Sequence, residues 1–391
     1  MGCENVNAKR ILIVTGDFVY PPNHGDRVDA WNSIKVLKNL GYDIDLICTV
    51  KNMPAKQDID IVNKMVRTTK FIMRRNRIVD MFHIWPLQMY SRRKLKKIKL
   101  ENTYDYVLLR GTYVIDILEN PTLHVKHPII RMNNDESVYF SMLAKAEPSP
   151  LRKLYYFIES YKFKYVDAEI VDRVPNILFV SSDERDRYKA RYPHINDAFL
   201  PVNIDRKNKE RKRNNHNAIM IGSFFMKNNQ EGILYYLNQV HPLLSDIPDY
   251  HITIAGNSRG QGITWITEVA SQYSNVTVLD SPRDLDPLYD EASLFLNTML
   301  HGAGVKLKTV NAIEEGLPVV STTIGNEGTG LKDGRDIYVE DSPHVIANAI
   351  KKLMLNRDEA TRLVRNGQKF IKDNYDTEKL FRIYLDNLND D

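Results

Sequence analysis

Short β-branched apolar runs alternate with helix-length stretches along this chain, stop once, and then begin again. That pattern leaves few folds open, because strands and helices in alternation pack as a parallel sheet covered on both faces. Residues 11–14 read as a buried strand followed by Gly16. A loop with Pro21, Pro22 and Gly25 leads to a helix over about 27–40, ended by Gly41, and 44–50 supplies the next strand. Further strands are expected at 106–109, 128–132 and 177–180, with helices between them, notably over 150–170. The pattern breaks at 206–217, where six bases, one acid and several Asn show no apolar periodicity. It restarts with strands at 218–221, 251–255, 276–279, 294–297 and 318–322, and helices at 233–244 and about 308–315. A last helix is expected over 377–388. The chain therefore reads as a first α/β domain over 1–205, a basic linker over 206–217, a second α/β domain over 218–376 and a terminal helix over 377–391.

A length of 391 residues suits two such domains. No run approaches the roughly 18 apolar residues that span a bilayer, and residues 1–10 have no apolar core of a signal peptide. Met1-Gly2-Cys3 lacks the Ser or Thr that an acylation signal needs at position 6, where Val6 stands. Cys3 and Cys48, the two cysteines, make no disulfide framework or zinc spacing, so a cytoplasmic protein without a metal site is expected. The net charge is only +4, but residues 73–99 hold nine Arg or Lys against one acid, interleaved with Phe82, Trp85 and Tyr90. Such a stretch either lies peripherally on an anionic membrane, at the inner face of the plasma membrane, or is a solvated basic helix beside a buried apolar one. No nucleic-acid recognition module accompanies the charge, so no nucleic-acid partner is expected.

The segment richest in chemistry is His301-Gly302-Ala303-Gly304-Val305-Lys306-Leu307-Lys308, set between a strand and a helix. Glycines let backbone approach a ligand, the first helical N–H groups point at it, and Lys306 and Lys308 add positive charge. A phosphate is the natural occupant. A plain strand-to-helix turn with solvated lysines is the other reading.

With Glu315-Gly316-Leu317-Pro318-Val319-Val320-Ser321-Thr322 and Gly325-Asn326-Glu327-Gly328, this segment resembles the donor signature of retaining GT-B glycosyltransferases, GT4-like and of the bacterial surface-polysaccharide type. Ile219-Met220-Ile221-Gly222-Ser223-Phe224, followed by Asn228-Asn229, resembles that family's opening of the second domain, and His251-Ile252-Thr253-Ile254-Ala255-Gly256 its next strand. The resemblance covers the second domain well and the first loosely. It implies an α/β GT-B fold of two Rossmann-like parallel-sheet domains facing a cleft, with the C-terminal helix crossing back to the first domain. It implies a nucleotide-diphosphate sugar as substrate, with no bound cofactor, held by Gly302, Gly304, Val305, Lys306 and Lys308. Two departures stand out. Family members carry a pair of glutamates here, the second on the ribose hydroxyls, and the matching positions are Ala303 and Asn311. An Arg and a Lys usually follow the first strand of this domain; Ser223 and Asn228 stand there, with Lys227 adjacent.

In the first domain, Gly25 and Asp26 fit the loop that in relatives touches donor and acceptor, Asp26 serving either a sugar hydroxyl or as a helix N-cap. Arg131-Met132-Asn133-Asn134-Asp135-Glu136-Ser137 follows a strand, and Asn134 and Asp135 best match the family's sugar-contacting segment, Asp135 again with capping as its other use. Arg110-Gly111 is a further candidate for the same place, and Glu327 either binds donor hydroxyls or decorates a glycine turn. The expected activity is retaining, metal-independent transfer of a sugar to a hydroxyl of a glycan or polyprenol-linked glycan. Its competitors are a catalytically silent GT-B partner of another transferase, a UDP-sugar epimerase, and a nicotinamide dehydrogenase. The last lacks its G-x-G-x-x-G fingerprint, since Gly25 stands alone.

Overall fold

The computed structural model describes residues 9–22, 25–75, 77–204, 207–211, 215–302 and 304–390. Cys3, the Met1-Gly2-Cys3 start and Ala303 lie outside the described residues. The chain divides into two units, Met1–Asn203 with Tyr375–Asp391, and Ile204–Asn374.

The first unit is built on seven parallel strands: β1 (Arg10–Thr15), β2 (Asp43–Val50), β3 (Thr68–Met73), β4 (Thr103–Arg110), β5 (His124–Met132), β6 (Asn176–Phe179) and β7 (Asn196–Phe199), in the order β3-β2-β1-β4-β5-β6-β7. Ile11 to Val14 of β1 are fully buried, as expected of a central strand with helices on both faces. The edge strand β3 alternates between exposed and half-buried residues, and β7 is half-buried at best. Neither has a continuous apolar run, and neither was expected from the sequence.

The C-terminal helix Thr377–Asp390 belongs to this unit. Phe381, Tyr384, Leu385 and Leu388 join the core formed by Ile11, Ile34 and Tyr106. The Tyr106 hydroxyl donates to the Leu385 carbonyl at 3.0 Å, and the Tyr384 hydroxyl donates to the Asn196 carbonyl at 3.1 Å. Phe381 and Leu385 are completely buried, so the helix is part of the unit's core rather than an appendage.

The second unit repeats the plan with six parallel strands: β8 (Asn217–Ile221), β9 (His251–Gly256), β10 (Val276–Asp280), β11 (Leu294–Asn297), β12 (Val319–Ser321) and β13 (Tyr338–Val339), ordered β10-β9-β8-β11-β12-β13. Both units are Rossmann-like. The basic segment before β8 is tied down within its unit. Lys207 and Lys209 reach Glu315 at 2.5 and 2.8 Å, and Arg211 reaches the same carboxylate at 2.8 Å. The Lys209 N–H also donates to the Glu314 carbonyl at 2.9 Å. Three cations on one nearly buried carboxylate explain why so polar a stretch can lie on a folded surface.

Candidate functional site

Each sheet reverses its winding once, between β1 and β4 in the first unit and between β8 and β11 in the second. Open α/β sheets bind ligands beyond the carboxyl ends of the strands at such a point. In the second unit a cleft of about 580 Å³ opens there. Ser223 and Asn228, after β8, and Val305, Lys306 and Lys308, after β11, line it. Gly256, Asn257 and Ser281, at the ends of β9 and β10, complete the lining.

Around the cleft, backbone conformation at one position and space at another dictate glycine. At Gly302 the backbone has φ +135°, and a Cβ would stand 3.0 Å from the Asn228 side-chain nitrogen. At Gly256 a Cβ would lie 2.0 Å from the Gly222 carbonyl oxygen, well inside contact distance. The ends of β8 and β9 therefore approach each other as closely as backbone allows, which keeps the cleft floor free of side chains.

Two ammonium groups face this floor. Lys306, its side chain 6% exposed, donates to the Gly304 carbonyl at 2.6 Å and pairs with Glu327 at 3.2 Å. Lys308 donates to the Asn229 side-chain oxygen at 2.9 Å, and Asn229 donates in turn to the Ser223 carbonyl at 3.3 Å. Enclosure of the Lys308 ammonium, and then the charge of Lys306 beside it, hold Lys308 down to about 7. The helix Leu307–Glu314 starts directly behind these groups, with Lys306 at its N-cap making no side-chain cap. The Leu307 and Thr309 N–H groups already donate to the Val305 and Lys306 carbonyls, so it is the helix dipole and the two lysines that converge on one place, an arrangement that stabilises a multiply charged anion.

In the first unit the matching strand ends carry a denser ionic network. Asp29 is buried between Arg110, at 2.5 Å, and Arg131, at 2.9 Å. Burial alone would raise the Asp29 carboxyl, but the two guanidiniums hold it at about 2. Arg131 also donates to the carbonyls of Leu200 and Pro201. Beside this network, Arg92 donates to the Thr49 hydroxyl at 2.9 Å and the Gly16 carbonyl at 2.8 Å, with its guanidinium over the Tyr113 ring. Burial, and then the charge of Arg74, lower Arg92 to about 9. The Tyr113 hydroxyl donates to Glu136, whose enclosed carboxyl is pushed up to about 8 by burial, against that hydrogen bond and with the help of nearby carboxylates.

Comparison with known proteins decides the family. Residues 215–356 match the model described as glycosyl transferases group 1. Over 383 residues the chain is 36% identical to an uncharacterized 44.6 kDa protein in the cps region of Klebsiella pneumoniae, covering 95% of this chain and 98% of that one. This chain belongs to the group 1 glycosyltransferases. Among solved structures, TarM superposes with a TM-score of 0.68 at 11% identity, covering 98% of this chain and 99% of that one. The pneumococcal O-GlcNAc transferase GtfA, solved with UDP and GlcNAc, gives 0.66 at 12% identity, covering 98% and 100%. At such identities these two matches speak for the GT-B fold alone.

The transferase brings together some expected residues and separates others. Ser223, Asn228, Val305, Lys306 and Lys308 line one cleft, with Gly302, Gly304 and Glu327 in contact with Lys306 or its neighbours. Lys227 departs from expectation: it begins the helix Lys227–Tyr235, points to solvent and pairs with Glu231 at 3.7 Å. Asn311 is exposed on the 307–314 helix and is not part of the cleft lining. Asp135 is buried, caps the helix Glu136–Ala146 through the Val138 N–H at 3.1 Å, and faces Arg191 at 3.8 Å; capping, rather than an open carboxylate, is what its geometry provides. Arg110 is likewise committed to Asp29. Asp26 is exposed in the first turn of the helix Gly25–Asn39 and accepts from the Asn133 side chain at 2.6 Å. Asn134 is half-buried, and around Gly25 there is open space where a Cβ would stand.

Sequence reasoning passed over Asn229, Asn257, Ser281, Arg92 and Glu136. The first three carried a usable signal, since each stands shortly after a strand or its following turn. Arg92 carried none, because only the fold brings it to the end of β1.

Proposed function

We propose that the transferase moves a sugar from a nucleoside-diphosphate donor to a hydroxyl of a glycan or lipid-linked glycan acceptor, with retention at the anomeric carbon. One observation carries this reading: Lys306 and Lys308 face the 580 Å³ cleft at the start of the 307–314 helix. Negative charge gathers on the diphosphate as the sugar leaves, and the preorganised ammonium groups and helix dipole would stabilise it. With two ammonium groups placed for that charge, the reading includes transfer without a divalent metal. GtfA is described with UDP and GlcNAc, which supports a UDP-sugar as the first donor to try. The relative from a cps region supports a role in surface-polysaccharide synthesis, with a polyprenol-linked intermediate as one acceptor class. Such work would place the chain on the cytoplasmic side of the membrane.

In the first unit, Asp26 and the Asn133–Asn134 pair are the groups this reading assigns to sugar hydroxyls. Asp135 supports them by fixing the start of the 136–146 helix.

A thermal-shift screen against UDP, GDP, ADP, CMP and NAD tests the donor site, because a ligand that binds only the native state raises the melting point. One nucleoside diphosphate is expected to shift it, and Lys306→Ala to abolish the shift. Product stereochemistry by NMR then checks retention, and activity in excess EDTA checks metal independence. A second reading, a silent partner of another transferase, is favoured by Asn311, an exposed amide where relatives have a carboxylate. Nucleotide binding without transfer or donor hydrolysis would select it.

A further inference from the structure

The helix Pro150–Arg173 buries one face and leaves a second apolar face bare. Phe163, Val166 and Ile170 enter the core beside β5 and β6. At about 100° per residue, Leu151, Leu154, Phe157, Ile158, Tyr161 and Tyr165 fall within one arc of about 120°, on the side opposite that core. They are exposed, from 42% at Ile158 to 82% at Leu151. Lys153 and Lys164 border the stripe on one edge and Lys162 on the other. Beyond Tyr165 the same face turns acidic with Glu169 and Asp172, so the stripe has a defined end.

The basic stretch after β3 is fastened to this helix. Lys162 donates to the Met81 carbonyl at 2.8 Å, and Glu159 accepts from the Leu87 N–H at 2.8 Å. Phe82, 87% exposed, and Ile84, 66% exposed, therefore stand beside the stripe and enlarge it. Next to them a pocket of about 510 Å³ is lined by Trp85, Arg93, Lys94 and Lys97 among others.

We propose that this face docks the protein peripherally on an anionic lipid bilayer, with the first half of the 150–173 helix lying in the interface plane. The charge pattern singles out this occupant. Residues 150–165 hold four bases and one acid, and that acid, Glu159, is fully buried against Lys162. Residues 73–99 hold nine bases and one acid, Asp80, which is buried near Arg93. Two copies meeting through this face would set these cations against each other, whereas anionic headgroups neutralise them. Phe and Tyr on the stripe, with lysines at its edges, suit the boundary between acyl chains and headgroups. Among the described residues no helix is long and apolar enough to cross a membrane, so the helix rests on the surface. The sequence left 73–99 open between a membrane contact and a solvated basic stretch; the structure adds an exposed apolar face beside it. This inference stands apart from the transfer reading, since it is measured without turnover.

Vesicle flotation of the full chain tests it, with phosphatidylcholine alone and with added phosphatidylglycerol, at low and high salt. Binding is expected on the anionic vesicles, weak on neutral ones and reduced by salt. The triple variant Leu154→Gln, Phe157→Gln, Tyr161→Gln removes only exposed groups, and an unchanged melting curve verifies its fold. It is expected to lose about tenfold or more in partitioning. Lys153→Gln with Lys164→Gln is expected to lose about thirtyfold on anionic vesicles and nothing on neutral ones. No flotation at low salt, or flotation that both variants retain, would overturn the proposal. So would a dimer in light scattering that the triple variant dissolves while vesicles go unbound, because the face would then belong to a second copy.

Discussion

The Lys308 ammonium is held by a neutral acceptor, the Asn229 side-chain oxygen at 2.9 Å, while its neighbour Lys306 has a carboxylate, Glu327, at 3.2 Å. Two lysines two residues apart thus face the cleft in different states, and the proposed donor would meet them so. Lys306 arrives with its charge matched. Lys308, enclosed and repelled by Lys306, titrates near 7 and gains a strong partner only when an anion arrives.

This difference predicts a proton-linked affinity. An anion beside Lys308 raises its pKa, so binding takes up a proton above about pH 7. The dissociation constant of the nucleotide sugar should be flat below that value and rise by up to about tenfold per pH unit above it. A nucleotide sugar is the right probe, because its esterified phosphates keep their charge over this range. Lys308→Gln should bind weakly with a flat profile. Calorimetry across buffers of different ionisation enthalpy measures the proton directly, and a slope that survives in the variant would assign it to another group.

Glu136 leads to a prediction of stability that also weakens as pH rises, through a carboxyl rather than an ammonium. Its folded pKa of about 8 lies above the ordinary carboxylate value. The folded state therefore holds a proton that the unfolded chain releases, and stability falls as pH rises from the usual carboxylate range through about 8. Glu136→Gln can still accept from Tyr113 but has no charge to bury. It should melt like the parent near pH 5 and be more stable near pH 9, by about 2 kcal/mol after allowing for relaxation around the site. Equal melting of the two proteins at high pH would show that the carboxyl reaches solvent.

The elements legible in the sequence were those whose chemistry is local. Ile11 to Val14 and Ala218 to Ile221 are continuous apolar runs, and they are central strands. β3, β7 and β13 are edges: half-solvated or only two residues long, they owe their form to a neighbour rather than to their own composition. The loop before the 307–314 helix was legible as part of a cleft because glycine spacing and two lysines sit in one short segment. Lys227 and Asn228 are adjacent in sequence, yet one helical step puts the first in solvent and the second on the cleft. The 150–173 helix posed a different problem. Its sequence has two apolar faces, and periodicity alone cannot say which of them meets the core.

Asp29 ties the first unit together, and acid should loosen that tie. With a folded pKa of about 2 and an ordinary unfolded value near 4, its contribution is fully present above about pH 4 and disappears as pH falls toward 2. Asp29→Asn should be less stable than the parent by about 2–3 kcal/mol at neutral pH, with the two converging near pH 2. Asp29→Ala, which leaves buried Arg131 without its carboxylate and Arg110 with only Asp26 at 3.6 Å, should lose about 3–5 kcal/mol. Urea melts at a series of pH values make the comparison, and a constant gap between parent and Asn variant would mean that the carboxylate adds nothing beyond its shape.

The close approach of Gly256 to Gly222 separates folding from donor binding. A methyl group at Gly256 would meet the Gly222 carbonyl and the Phe224 ring at 2.4 Å, so β8 and β9 must part at their carboxyl ends. Strain of that kind in a packed region costs about 1–3 kcal/mol. The displaced atoms are the cleft floor itself, next to Ser223 and Asn257. Gly256→Ala should therefore lower the melting point modestly and weaken nucleotide binding by more than that loss of stability accounts for. Gly334→Ala is the control, since its φ of +67° makes alanine unfavourable but no atom lies within 4 Å of the new group. It should lower the melting point and leave nucleotide affinity unchanged. If both variants reduce affinity alike, the effect follows from global destabilisation and the floor of the cleft is not where the nucleotide rests.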